Sequence, residues 1–194
     1  MPYILILAGY LLGSIPFGFI IGKIKGVDVR RSGSGNIGAT NVLRTLGPAA
    51  GGTVFVLDFL KGALPVWLAQ GYSGDPVIVV LCGLAAVVGH AFPIFLAFKG
   101  GKGVATSAGV LFGIAPEMAV FGIVLFAVIT FLTRFVSAGS VLAAVTVFII
   151  FLVLGKPLPY TVLVGLGALL IVIRHIPNIK RLIAGTEPRL GEKR

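Results

Sequence analysis

Three polar segments hold nearly all the residue types that could do chemistry, and that chemistry is the binding of anions. Residues 30–44 read RRSGSGNIGATNVLR. Ser34, Asn36, Thr40 and Asn41 offer small polar groups there, and the glycines, Gly35 among them, leave backbone N–H groups open ahead of a helix start. Such turns bind anions, and Arg44 closes the segment with a fork suited to bidentate phosphate recognition. Residues 89–107 read GHAFPIFLAFKGGKGVATS. Gly100, Gly101 and Gly103 let backbone approach an oxyanion, Lys99 and Lys102 add point charge, and the N-terminus of the next helix points at the same place. Residues 174–187 read RHIPNIKRLIAGTE. His175 and Asn178 are spaced to share one helix face and to hold a hydroxyl or phosphate, although Pro177 makes that turn irregular. Lys180 and Arg181 read as snorkelling anchors.

Two nucleotide motifs are imitated and fail. Gly33, Gly35 and Gly38 spell G-x-G-x-x-G with Asp58 twenty residues on, but no buried strand leads into them. A phosphate-binding P-loop needs glycine where Leu96 stands and Ser or Thr where Gly103 stands. Other chemistries lack their residues. No cysteine or histidine cluster has metal spacing, so no metal and no cofactor is expected. There is no G-x-S-x-G elbow. Where acyl-CoA-dependent acyltransferases place an aspartate after their histidine, Phe95 follows His90.

The elements that must position these segments are membrane helices. Charged residues make up 11% of the 194, against about 25% in soluble domains. Apolar runs approach the length that crosses a bilayer. The fold expected is a single all-α integral membrane domain over 1–194, a polytopic bundle of about seven transmembrane helices. The spans run near 2–22, 51–70, 77–98, 104–116, 118–133, 140–155 and 158–174, with the fourth and fifth open to fusion through Pro116. Pro16, Pro65 and Pro93 predict kinks. The first span is retained rather than cleaved, because its first charge, Lys23, follows the apolar run.

The net charge is +10. Its cations sit in short segments between spans, which speaks for topology and an anion site and against nucleic acid. All Lys and Arg except Lys61 and Lys156 fall on one set of alternate connections, Lys193 and Arg194 included. The N-terminus is therefore expected outside and the C-terminus in the cytoplasm. Gly18, Gly22 and Gly26, and Gly109 with Gly113, read as packing positions inside the bundle. Asp58 and Lys61 can pair within a span, as a structural ion pair or a functional one. His90 reads as structural, and Ser137 and Ser140 as capping residues. Cys82 stands alone in an apolar run.

Taken together, GSGNIGATNVLR (33–44), GHAFPIFLAFKGGKGVATS (89–107) and RHIPNIKRLIAGTE (174–187), with LLGSIPFG (11–18) and VLDFLKG (56–62), resemble the bacterial acyl-phosphate:glycerol-3-phosphate acyltransferase family, PlsY. The resemblance spans nearly the whole chain. It implies an inner-membrane enzyme, active site facing the cytoplasm, that moves a fatty acyl group from acyl phosphate to glycerol 3-phosphate at an opening step of phospholipid synthesis. Membrane lipid is its surrounding partner, and the oligomeric state is left open, a monomer included. By motif position, Ser34, Asn36, Arg44, Lys102, His175 and Asn178 would line the site, with Gly35, Gly100, Gly101 and Gly103 shaping its turns. The residues favour direct attack without an acyl-enzyme. The base is either His175 or the donor phosphate, and neighbouring cations tilt the choice to the phosphate. The main rival is an organic-phosphate transporter, which would place its cations near the midplane and in related halves. A metal-dependent lipid phosphotransferase would need an acidic cluster.

Overall fold

The computed structural model describes residues 2–192. Lys193 and Arg194 lie outside the described residues. The chain is all helix and loop: α1 (Pro2–Ser14), α2 (Phe17–Ile24), α3 (Ala39–Leu46), α4 (Pro48–Tyr72), α5 (Pro76–Ala91), a 3-10 turn (Ile94–Leu96), α6 (Val104–Ile114), α7 (Pro116–Thr133), α8 (Val136–Val153) and α9 (Leu158–Ile183). Proline punctuates it. Pro16 separates α1 from α2, Pro93 follows the end of α5, and Pro48, Pro76 and Pro116 each open a helix, where a missing N–H costs nothing. Pro116 makes α6 and α7 two helices rather than one kinked segment.

Among the described residues, six candidate spans are long and apolar enough to cross a membrane: Tyr3–Ile24, Pro48–Tyr72, Pro76–Leu96, Pro116–Thr133, Val136–Val153 and Leu158–Ile183. The expected count of seven changes at α6, an 11-residue helix. At 1.5 Å per residue it is about 16 Å long, about half a hydrocarbon core. Its two ends nonetheless meet opposite ends of the bundle. Lys102, just before it, donates to Asn178 near the end of α9, while Gln70 near the end of α4 donates to the Gly113 carbonyl at 3.0 Å. The second difference is α9, which continues through Pro177 to Ile183, nine residues past its expected end. His175 and Asn178 therefore share a helix face and are both buried.

With no hydrophobic drive between helices in lipid, close backbone contact must hold the bundle. Glycine supplies it. α1 lies along α5 with Gly9 and Gly13 against the backbone of Cys82 and Ala86, and Gly89 of α5 returns the contact against Tyr10 and Ser14. α6 lies along α4 the same way, Gly62 against Thr106 and Gly109 against Phe59. Gly18, Gly22, Gly109 and Gly113 all pack inside the molecule, as expected, whereas Gly26 sits in open space in a left-handed turn.

Candidate active site

α3, α6, α8 and α9 bring the three polar segments to one cavity of about 650 Å³. Its polar end is lined by Ser34, Asn36, Thr40, Asn41, Arg44, Lys102, Gly103, His175 and Asn178, joined by Arg174, Arg181 and Glu187. Asp58, His90, Ser107, Ser137 and Ser140 also reach the wall, and most of the remainder is apolar, with Val110, Leu111, Ile123, Phe126, Ala143, Val147, Leu163 and Ile171 on α6 to α9. One chamber thus offers a cationic pocket continuous with a hydrocarbon-like sleeve.

The first segment is built around Asn41. Its Oδ1 accepts the Ser34 N–H at 2.8 Å, and its Nδ2 donates to the carbonyls of Val29, Ser32 and Asn36 at 2.9, 3.1 and 2.8 Å. Asn41 is buried, so its hydrogen-bonding capacity is spent on the loop, and it places Ser34 and Asn36. Gly33 packs on its amide oxygen at φ +59°, where a side chain would be both strained and obstructed. Gly35 closes the turn by donating to the Ser32 carbonyl and lies outside the cavity wall. The Arg44 fork reaches the Pro188 carbonyl at 3.4 Å.

In the second segment the glycines have different tasks. The Gly101 N–H donates to the His90 carbonyl at 3.0 Å, and Arg174 donates to the carbonyls of Gly100 and Gly101 at 2.7 and 3.1 Å. Both peptides are fastened inward and neither residue lines the cavity. Gly103, at φ +82°, turns the chain into α6 and does line it, as does Lys102. The α6 N-terminus and the Lys102 ammonium therefore form the anion-facing part of this loop.

The third segment carries a hub that the sequence reading missed. Glu187 accepts from Asn178 Nδ2 at 2.6 Å and Ser137 Oγ at 2.8 Å on one oxygen, and from Arg181 Nε at 2.8 Å on the other. Burial pushes the Glu187 carboxyl up, but these three donors outweigh it and hold the group below its ordinary value. Asn178 passes the order on, its Oδ1 taking the Lys102 ammonium at 2.6 Å. Burial, with Arg181, Arg44 and Arg174 nearby, pushes the Lys102 ammonium down to about 8, and Glu187 opposes the fall. His175 Nδ1 lies 2.8 Å from the Ile171 carbonyl. A carbonyl only accepts, so in neutral His175 the proton is on Nδ1 and Nε2 keeps its lone pair.

Two expectations need correction. Arg181 is no mere anchor: it pairs with Glu187. Ser137 and Ser140 do not cap α8, whose N-cap is Phe135. Ser137 serves Glu187, Ser140 donates to the Val136 carbonyl, and both line the cavity. The one signal for Glu187 was its standing as the sole acid of a cationic segment.

The family model for glycerol-3-phosphate acyltransferase matches residues 3–185. The chain belongs to the glycerol-3-phosphate acyltransferase family. It is 45% identical over 186 residues to the glycerol-3-phosphate acyltransferase of Aquifex aeolicus, covering 95% of this chain and 97% of that one. It is 44% identical over 189 residues to glycerol-3-phosphate acyltransferase 2 of Moorella thermoacetica, covering 97% of each. Crystal structures of PlsY, an integral membrane glycerol 3-phosphate acyltransferase, superpose on it closely. The glycerol 3-phosphate form gives a TM-score of 0.95 at 45% identity over 98% of this chain and 96% of that one. The lysophosphatidic acid form gives 0.92 at 44%, over 98% and 95%. Like other members of this family, the chain is an all-helical, multi-pass integral membrane protein.

Proposed function

We propose that this chain transfers a fatty acyl group from acyl phosphate to the 1-hydroxyl of glycerol 3-phosphate, yielding lysophosphatidic acid and inorganic phosphate. The observation that carries the reading is the two-part cavity: cations and hydroxyls at one end, an apolar sleeve between α6 and α9 at the other. A small doubly charged acceptor suits the first part alone. An acyl phosphate, and the lysophospholipid product, suit both parts at once.

The hydroxyl oxygen attacks the acyl carbonyl carbon directly, the carbon–oxygen bond to phosphate breaks, and the hydroxyl proton leaves with the phosphate. Acyl phosphate is already activated, so holding two anions in line supplies much of the acceleration. Lys102, the α6 N-terminus and Arg44 stabilise charge on the phosphates. Ser34, Asn36 and Thr40 offer short polar contacts to the acceptor, and His175 Nε2 accepts a hydrogen bond that orients it. The departing phosphate takes the proton. If His175→Ala abolished turnover with binding of both substrates intact, the proton would have to go to His175 instead.

The catalytic end faces the cytoplasm, the N-terminus lies outside, and α6 counts as the seventh crossing. The one-sided distribution of Lys and Arg supports this orientation. So do the contacts of α6 at both ends of the bundle.

The test is phosphate release by purified protein in lipid, with glycerol 3-phosphate and either palmitoyl phosphate or palmitoyl-CoA. Release with the acyl phosphate only, dependent on the acceptor and reduced roughly 100-fold or more in Lys102→Ala, is expected for a site that works by charge stabilisation. A folded protein that releases nothing with either donor would remove the reading.

A further inference from the structure

Beside the catalytic loop lies a second charged assembly that the reaction above does not use, two members of which, Asp58 and His90, also reach the cavity wall. Asp58 and Lys61 on α4 and His90 on α5 are each at most 4% exposed, within helices that cross the membrane. Charge is expensive there and persists only when paired. Lys61 Nζ lies 2.7 Å from Asp58 Oδ1 and 2.7 Å from the Ile15 carbonyl, which stands at the α1–α2 break made by Pro16. It also stands 5.5 Å from the centre of the Phe17 ring. The Lys61 arm thus holds a kink.

Asp58 has a second direction. The same Oδ1 stands 3.7 Å from His90 Nδ1, beyond hydrogen-bond range but well within electrostatic reach. His90 in turn meets the catalytic loop twice. Its carbonyl accepts the Gly101 N–H, and its ring lies flush against Gly101 Cα, so that a methyl group added there would overlap Nε2. From Gly101 the next residue is Lys102. Arg174 also grips the carbonyls of Gly100 and Gly101. The two peptides are therefore held by both Arg174 and His90, and Asp58 is the charged residue next to the His90 ring.

We infer that Asp58 and His90 are positioning residues for Lys102: the buried line Lys61–Asp58–His90 sets where Gly101 rests, and so where the ammonium stands in the cavity. This rests on the acyl-transfer reading for its kinetic consequence but not for its geometry. A pair that served only the α1–α2 kink would affect stability and leave the site alone. Positioning instead weakens anion binding in a protein that is still folded.

The deciding variant is Asp58→Asn with Lys61→Gln. It removes both charges together, leaves no unpaired ion, and keeps amides that can bond each other and the Ile15 carbonyl. Its midpoint of thermal unfolding is expected near that of the parent. The KM for glycerol 3-phosphate is expected to rise about 10-fold with kcat changed less, the mark of a misplaced binding group. A second arm needs no substrate. Labelling of Lys102 by acetic anhydride, followed by mass spectrometry, is expected to change in rate while exposed Lys25 keeps its rate.

Parental KM and parental Lys102 labelling in the folded double variant would overturn the inference. An inactive parent enzyme would instead strike the acyl-transfer reading, and the labelling arm would still decide this one. Should the double variant not fold, Gly101→Ala tests the same contact. Its KM defect and altered labelling are expected to be relieved by adding His90→Ser, which makes room for the methyl group. No relief would count against His90 as the backstop.

Discussion

At the scale of single residues, the site depends on how a few side chains spend their hydrogen bonds. Asn41 makes four, all to the loop that carries Ser34 and Asn36. Its two amide hydrogens are shared among three carbonyls, so the four contacts amount to about three full bonds. At about 1 kcal/mol net for each, Asn41→Ala is expected to cost roughly 3 kcal/mol and to abolish turnover through loss of the loop. Thermal unfolding in detergent and the phosphate-release assay check both halves. Lys102 makes a pH prediction. Its ammonium titrates at about 8 in the ligand-free protein, so it is cationic below that pH and neutral above it. The acceptor's kcat/KM is therefore expected to fall as pH rises through about 8, since that ratio reports the free enzyme. Lys102→Arg, charged throughout, is expected to lack this limb even if its rate is lower. The small polar residues and glycines were legible in the sequence because a loop that only fixed topology had no need of them. Glu187 was not, because its donors come from α8 and from two turns of α9, and nothing local announces that meeting.

At the scale of elements, the placement of Lys102 is inherited from α6, and α6 is held by glycine contacts with α4. A side chain at Gly109 would overlap the Phe59 carbonyl. Gly109→Val is expected to push α6 off α4, lower the unfolding midpoint and raise the acceptor KM, although residue 109 is two turns away from Lys102. Where most helices begin and end could be read from apolar length and proline position. The end of α9 could not. Local rules stop or bend a helix at Pro177, whereas the helix runs on because His175 and Asn178 are both buried beyond the rule's reach. α6 keeps nearly its expected bounds, 104–116 in the sequence and Val104–Ile114 in the fold, but its 11 residues are fewer than a full hydrocarbon core requires.

At the scale of the whole molecule, charge asymmetry is the plainest message in the sequence. Described basic residues other than Lys61 and Lys156 gather at one end, and Asp75, Glu117 and Lys156 mark the other, where Lys156 pairs with Glu117 at 3.3 Å. A cysteine placed at Lys25 in a Cys82→Ser background is expected to resist a membrane-impermeant thiol reagent in intact cells and to react after permeabilisation. A cysteine at Asp75 is expected to react in both. The reverse pattern would invert the proposed orientation.

The close fit of α1 along α5 has a consequence for how such a chain is made. The groove that accepts Cys82 and Ala86 is complete on α1 as soon as that helix leaves the ribosome, but its partner arrives only after α4 has been threaded into the bilayer. During that interval α1 is an unclaimed surface of small residues in a crowded insertion machine. A nascent chain stalled before α5 would present that surface to any passing helix, which makes early truncations natural targets for membrane proteases.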